Sequence, residues 1–329
     1  MTDSSTRGAH GPESMANSSM PLVLRQAARG ERLRSRKAVR WIESVITALL
    51  VGAGVFSVLI TVAIIVVLTR ETWTFFSHSQ VTLGKFFLSA EWYPQYGDFG
   101  IWPLICGTLL VAAIAVGVAL PLGLITAIFL SEYAPRRVRA VLKPTLEVLA
   151  GVPTVVYGLF AVTVITPGLQ RIHEGFQSYN ALAAGLAVGV LCIPIICSLC
   201  EDALQAAPRG LRDGALGLGA TRWEVAWRVV VPAAFSGIVS ATLLAISRAV
   251  GETMIVAMAA GNLPKITWDP RQQTQTMTGY MAQVVGGDVS NFGVEYYSLY
   301  AVAAVLFLIT FALTALGQQV RKRYREVYR

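Results

Sequence analysis

Apolar residues occur along this chain in long blocks, without the helical stripes or strand alternations that soluble domains show. A helix needs about 20 mostly apolar residues to cross the hydrocarbon core of a bilayer. Six blocks are long enough, and the third is interrupted by Glu147, Pro153 and Pro167. The blocks cover roughly residues 42–69, 101–130, 144–168, 180–200, 229–260 and 296–318. The pattern predicts an all-α membrane protein with six transmembrane helices.

The polar segments suggest how the rest of the chain is organised. Residues 1–20 are rich in Ser and Gly, and residues 22–40 combine apolar positions with Arg and Lys. We expect residues 1–40 to be a disordered, then basic amphipathic, cytoplasmic tail, and residues 41–329 to be the membrane domain. The aromatic segment 70–100 is expected to lie partly against the outer leaflet. The polar segment 261–295 suits a solvated connector and a contact with a soluble partner equally well.

The distribution of Lys and Arg along the chain predicts the orientation of the spans in the membrane. The chain is 54% hydrophobic and 14% charged, with a net charge of +8. If both termini are cytoplasmic, the inner segments hold 21 of the 27 Lys and Arg residues. This bias predicts that orientation by the positive-inside rule. The basic balance therefore indicates membrane topology. A nucleic-acid partner is not expected, because paired aromatic and basic platforms are missing from the sequence.

Metal binding is not indicated either. The four cysteines all lie in predicted spans, and the three histidines are scattered over a tail and outer loops. Cys197 and Cys200 form a C-x-x-C pair without the further Cys or His ligands that a zinc site requires. We expect these cysteines to contribute to helix packing.

Two charges stand inside the fifth predicted span. Placing one charge at the bilayer centre costs about 2.5–3.5 kcal/mol even on the more lenient scale. Arg248 and Glu252 are spaced i and i+4, so on one helix they would share a face and form a pair. The pair has two interpretations: an internal ion pair that holds the bundle together, or the lining of a path on which Arg248 attracts an anion. Glu147 is expected to be a structural or gating residue near the cytoplasmic end of the third span.

The cytoplasmic segment at about 201–228 carries a motif. Asp213, Gly214 and Ala215 are followed by three residues and Gly219, and nine residues later by Val229-x-Val231-Pro232. This resembles the coupling motif of ABC-importer permeases, in which Glu-Ala-Ala, Gly and Ile-x-Leu-Pro stand at the same spacings. Gly214 departs from Ala, and Asp213 keeps the charge of Glu. The resemblance implies a loop that docks on a nucleotide-binding subunit, and Gly219 would allow a sharp turn there.

The chain lacks the residues to hydrolyse ATP itself. A phosphate-binding P-loop needs Lys followed by Ser or Thr, and the five lysines precede Ala, Phe, Pro, Ile and Arg. We therefore expect a non-catalytic subunit without a bound cofactor, with ATP and Mg²⁺ on partner ATPase subunits.

Several further segments resemble the PstC-type permease of the phosphate-specific ABC transporter. They are Gly107–Leu109, Phe129–Pro135, Glu147–Gly158 and Arg248–Met254, and the likeness runs from about residue 41 to the C-terminus. The resemblance implies a type I ABC-importer permease fold in the bacterial cytoplasmic membrane. It also implies a homologous second permease, two ATP-binding subunits and an extracytoplasmic phosphate-binding protein. Arg248, Glu252 and Thr253 would then belong to the path of inorganic phosphate.

Other functions remain open from the residues alone. A permease for molybdate or sulfate would show the same coupling loop. A membrane enzyme needs converging nucleophiles, metal ligands or acid–base pairs, and only Arg248 and Glu252 converge. A channel or secondary transporter has no need of a docking loop, and inverted repeats are not visible in the sequence.

Overall fold

The computed structural model of the protein describes residues 22–79, 81–288 and 293–323. By the contacts within it, the chain forms two units that meet in sequence after Val66, and each unit is described separately. Helix α1, Leu22–Phe76, begins in the first part and ends in the second. From Trp41 to Val66 its apolar side chains are exposed, as suits contact with lipid. The expectation for residues 1–21 lies outside the described residues.

The second part is helical apart from a small β-hairpin, in which Trp92 pairs with Phe99 and a 3₁₀ turn joins the strands. Turns of π-helix occur at the end of α3 and within α5 and α8, and another follows α11. In chain order the elements are α2 (Leu83–Leu88), β1 (Trp92–Tyr93), β2 (Asp98–Phe99), α3 (Trp102–Tyr133), α4 (Arg136–Ala150), α5 (Thr154–Ile172), α6 (Ala181–Gln205), α7 (Arg209–Gly217), α8 (Arg222–Ala233), α9 (Phe235–Val250), α10 (Met254–Ala259), α11 (Met277–Gln283) and α12 (Val294–Arg323).

Among the described residues, five helices are long and apolar enough to cross a membrane: α1 from Trp41, α3, α5, α6 and α12 to Val320. A sixth candidate is the pair α8 and α9, which bends by 73°. The six predicted blocks thus fall on these elements, although the boundaries of the third and fifth blocks were wrong.

The third block does not begin at residue 144. Helix α4 ends at Ala150, and the span α5 begins only at Thr154. Pro153 explains the break, because proline lacks the N–H that a helix interior needs and disfavours helical geometry in the residue before it. Glu147 therefore lies on α4, outside the span in which the sequence placed it.

Helices α3 and α6 form the centre of the bundle, and small residues bring them close together. A Cβ atom on Gly185 would lie 2.6 Å from the side chain of Ile114, and one on Gly123 would lie 2.8 Å from Ile196. Close approach through small residues is the usual way for helices to gain van der Waals contact in lipid. The fully buried Ala115, Ala119 and Ala184 belong to the same hydrophobic core.

The aromatic segment 70–100 builds a second, smaller core. Phe75, Phe86 and Trp92 are buried, and the Trp92 ring meets Tyr280 of α11 edge-on at 5.0 Å between ring centroids. These side chains contact each other and α11, so the expectation of leaflet contact was wrong for them. It remains a prediction for Trp73, which is exposed.

Candidate functional site

The fifth predicted span breaks where its charges lie. Helix α9 ends at Val250, residues 251–253 are not α-helical, and α10 begins at Met254. The prediction that Arg248 and Glu252 share a face of one continuous helix was therefore wrong. The Thr278 hydroxyl at the start of α11 donates a hydrogen bond of 2.6 Å to the Glu252 carbonyl. This contact satisfies a carbonyl that a continuous helix would have bonded internally.

The break still brings the two predicted side chains together. Arg248 Nη2 lies 3.9 Å from Glu252 Oε2, a long ion pair. The Glu252 side chain is 3% exposed, whereas that of Arg248 is 47% exposed. Thr253, the third predicted path residue, is half-buried beside them, and its hydroxyl donates to the Gly251 carbonyl. The arrangement presents a guanidinium toward open space and keeps the carboxylate behind it. A guanidinium has five N–H donors in a planar fork, which suits the binding of an oxyanion.

The polar segment after α10 packs into the bundle, so its central part is not a solvated connector. Thr274, Gln275 and Thr276 are buried, and the Thr274 N–H donates to the Ala260 carbonyl. The sequence had left the role of this segment open, and its residues 289–292 lie outside the described residues. Its buried part returns the chain to the break at residues 251–253.

Helix α3 holds this returning segment. The Met277 N–H donates to Thr108 Oγ1 at 3.0 Å, and a Cβ atom on Gly107 would lie 2.6 Å from Thr274 Oγ1. Gly107 is therefore required by close backbone approach. Sequence reasoning quoted Gly107 and Thr108 only as part of a resemblance and missed this structural role. The signal available was a Gly-Thr pair inside an apolar block.

The motif-bearing loop consists of the helices α7 and α8, and the sharp turn expected at Gly219 joins them. Asp213 and Gly214 are exposed on α7, and Ala215 is half-buried there. Gly219 has φ of +87°, a left-handed conformation that favours glycine. Pro232 lies near the end of α8, just before the bend at Ala234.

Helix α8 begins with a capping box. The Thr221 hydroxyl accepts from the Glu224 N–H, and the Glu224 carboxylate accepts from the Thr221 N–H at 2.9 Å. Trp223 and Trp227 follow on this helix, exposed and edge-to-face at 5.6 Å between ring centroids. The loop thus has its own local supports and leaves α7 open to a partner.

A network of ion pairs lies on the side of the bundle that carries α7. Lys143 Nζ of α4 is 2.9 Å from Oε2 of the buried Glu201, and Arg139 Nε is 3.4 Å from Oε1. The hydrogen bond to Glu201 raises the pKa of Lys143. Glu132, at the end of α3, pairs with Arg212 of α7 at 3.0 Å. These partners are far apart in the sequence, so spacing contained no signal for them.

Glu147 does not belong to the ion-pair network. It is exposed on α4 and lines a cavity of about 320 Å³ with Lys143, Glu201, Pro194 and Leu244. The placement of Glu147 in the third span was therefore wrong, and its structural or gating role stays a prediction.

In the part of the chain that the structure describes, no three His, Cys, Asp or Glu side chains cluster in a way that could hold a metal ion. Cys197 and Cys200 are buried and unpaired as thiols. Two features of the site remain: the Arg248 guanidinium at the helix break, and the loop formed by α7 and α8. Each is held by contacts of its own.

Known proteins are similar to this chain in sequence and in fold. Residues 119–326 match the family described as binding-protein-dependent transport system inner membrane component. A probable ABC transporter permease protein, YqgH, of Bacillus subtilis is 32% identical over 297 residues, which cover 89% of this chain and 96% of the relative. The phosphate transport system permease protein PstC of Mesorhizobium japonicum is 33% identical over 262 residues, covering 74% of this chain and 80% of the relative.

Solved structures agree on the fold. A chain of a bacterial ABC transporter involved in alginate import is superposable with a TM-score of 0.61 at 12% identity, covering 86% of this chain and 96% of that one. The predicted helical membrane fold of an ABC-importer permease is thereby confirmed. The chain belongs to the family of binding-protein-dependent transport system inner membrane components, multi-pass proteins that act with a second permease, ATPases and a substrate-binding protein.

Proposed function

We propose that this chain is a transmembrane permease subunit of an ATP-driven phosphate importer. The family and the PstC relatives support an importer of this kind. The observation that carries the proposal is the break at residues 251–253, where a half-exposed Arg248 stands beside a buried Glu252. Inorganic phosphate is an oxyanion that a guanidinium binds through two parallel charge-assisted hydrogen bonds.

The geometry suits transport better than tight storage. Glu252 lies 3.9 Å from Arg248, close enough to hold the guanidinium and to oppose an anion that binds to it. A transport site must bind its ion and also release it. Thr253 adds a hydroxyl at the same break. Arg248, Glu252 and Thr253 are therefore the proposed substrate path, and Glu252 limits how tightly phosphate is held there.

Energy for transport comes from outside this chain. The loop at about 201–228, with Asp213, Gly214, Ala215, Gly219 and Pro232, docks on ATP-binding subunits that carry ATP and Mg²⁺. Two such subunits and a homologous second permease complete the assembly, and an extracytoplasmic phosphate-binding protein delivers the substrate. Both termini are cytoplasmic. ATP binding closes the two motor subunits, the loop moves with them, and the bundle alternates between outward and inward access.

The test is uptake of radiolabelled phosphate in cells that lack this chain and every other phosphate importer. Cells complemented with the wild-type gene should take up phosphate, with no inhibition by an excess of sulfate or molybdate. Uptake that either competitor suppresses would replace phosphate by another oxyanion. Uptake that does not depend on this chain would end the phosphate assignment.

A further inference from the structure

A single side chain of α7, that of Arg212, joins the helix to the bundle through several hydrogen bonds. Arg212 is 18% exposed on a helix whose other residues are mostly exposed. Its Nη2 and Nε donate to Glu132 Oε1 at 3.0 and 3.3 Å. Its Nη1 donates to the Ala207 carbonyl at 2.8 Å, and Nη2 donates to the Leu204 carbonyl at 2.6 Å. The fork of donors thus joins α7 both to Glu132 and to the end of α6.

Glu132 stands at the end of α3. Its side chain is 12% exposed, and the carboxylate also accepts a hydrogen bond from the Ser131 hydroxyl at 2.9 Å. A largely desolvated carboxylate with its charge partner resists separation, because removing either member leaves an uncompensated charge. A displacement of α7 therefore acts on the last turn of α3.

The other end of α3 contacts the segment that supports the helix break. Thr108 accepts from the Met277 N–H, and the next residue, Thr278, donates to the Glu252 carbonyl. Residues 108 and 132 are 24 positions apart on one continuous helix, a span of about 36 Å at 1.5 Å per residue. The contacts thus run without a gap from Arg212 on α7 to Glu252 at the break.

We propose that the Arg212–Glu132 pair is the positioning contact through which movement of α7 reaches α3, and through α3 the break at Arg248 and Glu252. The inference rests on the proposed function, since it assumes that α7 moves with an ATPase. Glu132 and Arg212 do not contact the substrate. They transmit the position of the loop, and a guanidinium is needed because one group must bond the carboxylate and two carbonyls together.

The test uses the complete complex, with its ATPase subunits and binding protein, reconstituted in proteoliposomes. Glu132→Gln removes the charge but keeps an oxygen acceptor, and Arg212 keeps its carbonyl bonds. We expect assembly and ATP hydrolysis stimulated by the binding protein to persist, while phosphate imported per ATP falls at least about fivefold, or about 1 kcal/mol. Arg212→Lys, which keeps the charge and loses the fork, should show the same loss.

Asp202→Asn is the matched control, because this exposed carboxylate pairs with Lys143 and does not contact α7. It should leave the ratio of phosphate to ATP unchanged. A second measurement follows the break itself. Met254→Cys places an exposed thiol next to it, and the native cysteines are buried. Its labelling by a polar thiol reagent should change on vanadate trapping with wild-type Glu132, but not with Glu132→Gln.

Wild-type phosphate per ATP together with a wild-type labelling change in Glu132→Gln would overturn the inference. Failure of both Glu132→Gln and Arg212→Lys to assemble would overturn it as well, because the pair would then be a folding contact. If the wild-type complex imports no phosphate, the proposed substrate fails instead. The labelling change on trapping still tests the transmission, because it does not depend on which substrate is carried.

Discussion

Arg212 and Arg248 are arginines of the same chain, yet their guanidinium groups lie in opposite situations. Arg212 has a carboxylate and two carbonyl groups within 2.6–3.3 Å. Arg248 has a carboxylate at 3.9 Å, and nearly half of its side chain is exposed. A guanidinium whose donors are engaged fixes the elements around it, whereas one with available donors can take up an anion. The comparison separates a guanidinium whose donors are engaged by the protein from one whose donors are available, which is the property that the proposed substrate path requires.

The loop and the break each contain a glycine, Gly219 and Gly251, and the two differ in backbone conformation. Gly219, in the turn after α7, has φ of +87°, which most residues other than glycine avoid. Gly251 at the break has φ of −87°, in the ordinary right-handed region. The turn after α7 therefore has a backbone conformation that favours glycine, whereas the break is supported by the side-chain hydrogen bond from Thr278 to the Glu252 carbonyl.

The largest expected effect tests the substrate side of the comparison. Arg248→Gln should lower phosphate uptake about 100-fold, equivalent to about 2.7 kcal/mol, with the assembled complex still present in the membrane. Arg271→Gln is the control, since this exposed arginine pairs with Asp269 and is not part of the proposed path. Uptake per assembled complex is the measurement. Loss of assembly in Arg248→Gln would make Arg248 a structural residue and would contradict its place on the substrate path.

For a charge that stabilises the bundle we expect the converse: its removal lowers stability and leaves uptake unchanged. Glu201→Ala leaves Lys143 and Arg139 without their buried partner and should lower the free energy of unfolding by about 2–3 kcal/mol, moderated because both cations are partly exposed. The thermal midpoint of the purified complex should fall, while uptake per assembled complex stays near wild type. Asp202→Asn, an exposed carboxylate of the same network, should change stability by less than about 0.5 kcal/mol. Equal effects of the two substitutions would contradict the role assigned to burial.

The smallest effect concerns the loop backbone. Gly219→Val puts a branched side chain at a left-handed position and should cost about 1–2 kcal/mol in the turn between α7 and α8. ATP hydrolysis should continue while uptake falls severalfold. Gly217→Val is the matched control, because Gly217 is helical and a Cβ atom there meets no neighbour within 4 Å. If both variants import equally, the geometry of Gly219 is not what the loop needs.

How far the site could be predicted depends on how local its causes are. The turn at Gly219 and the helices on either side of it were confirmed, because a motif with fixed spacing encodes them. The pairing of Arg248 with Glu252 was found for the wrong reason, since their helix breaks between them. No local pattern pairs Glu132 with Arg212, because the two residues are 80 positions apart in the sequence.

Hydropathy and charge along the chain determined that this protein is a helical membrane protein with about six spans and a motif-bearing loop, because burial in lipid imposes length and composition on each segment separately. Tertiary structure alone decided that the fifth span breaks at residues 251–253 and which charges are paired. The bond from Thr278 to the Glu252 carbonyl, the bond from Met277 to Thr108 and the fork of Arg212 on Glu132 all join distant segments. Their energy exists only once the helices have packed, so no local pattern of residues encodes them.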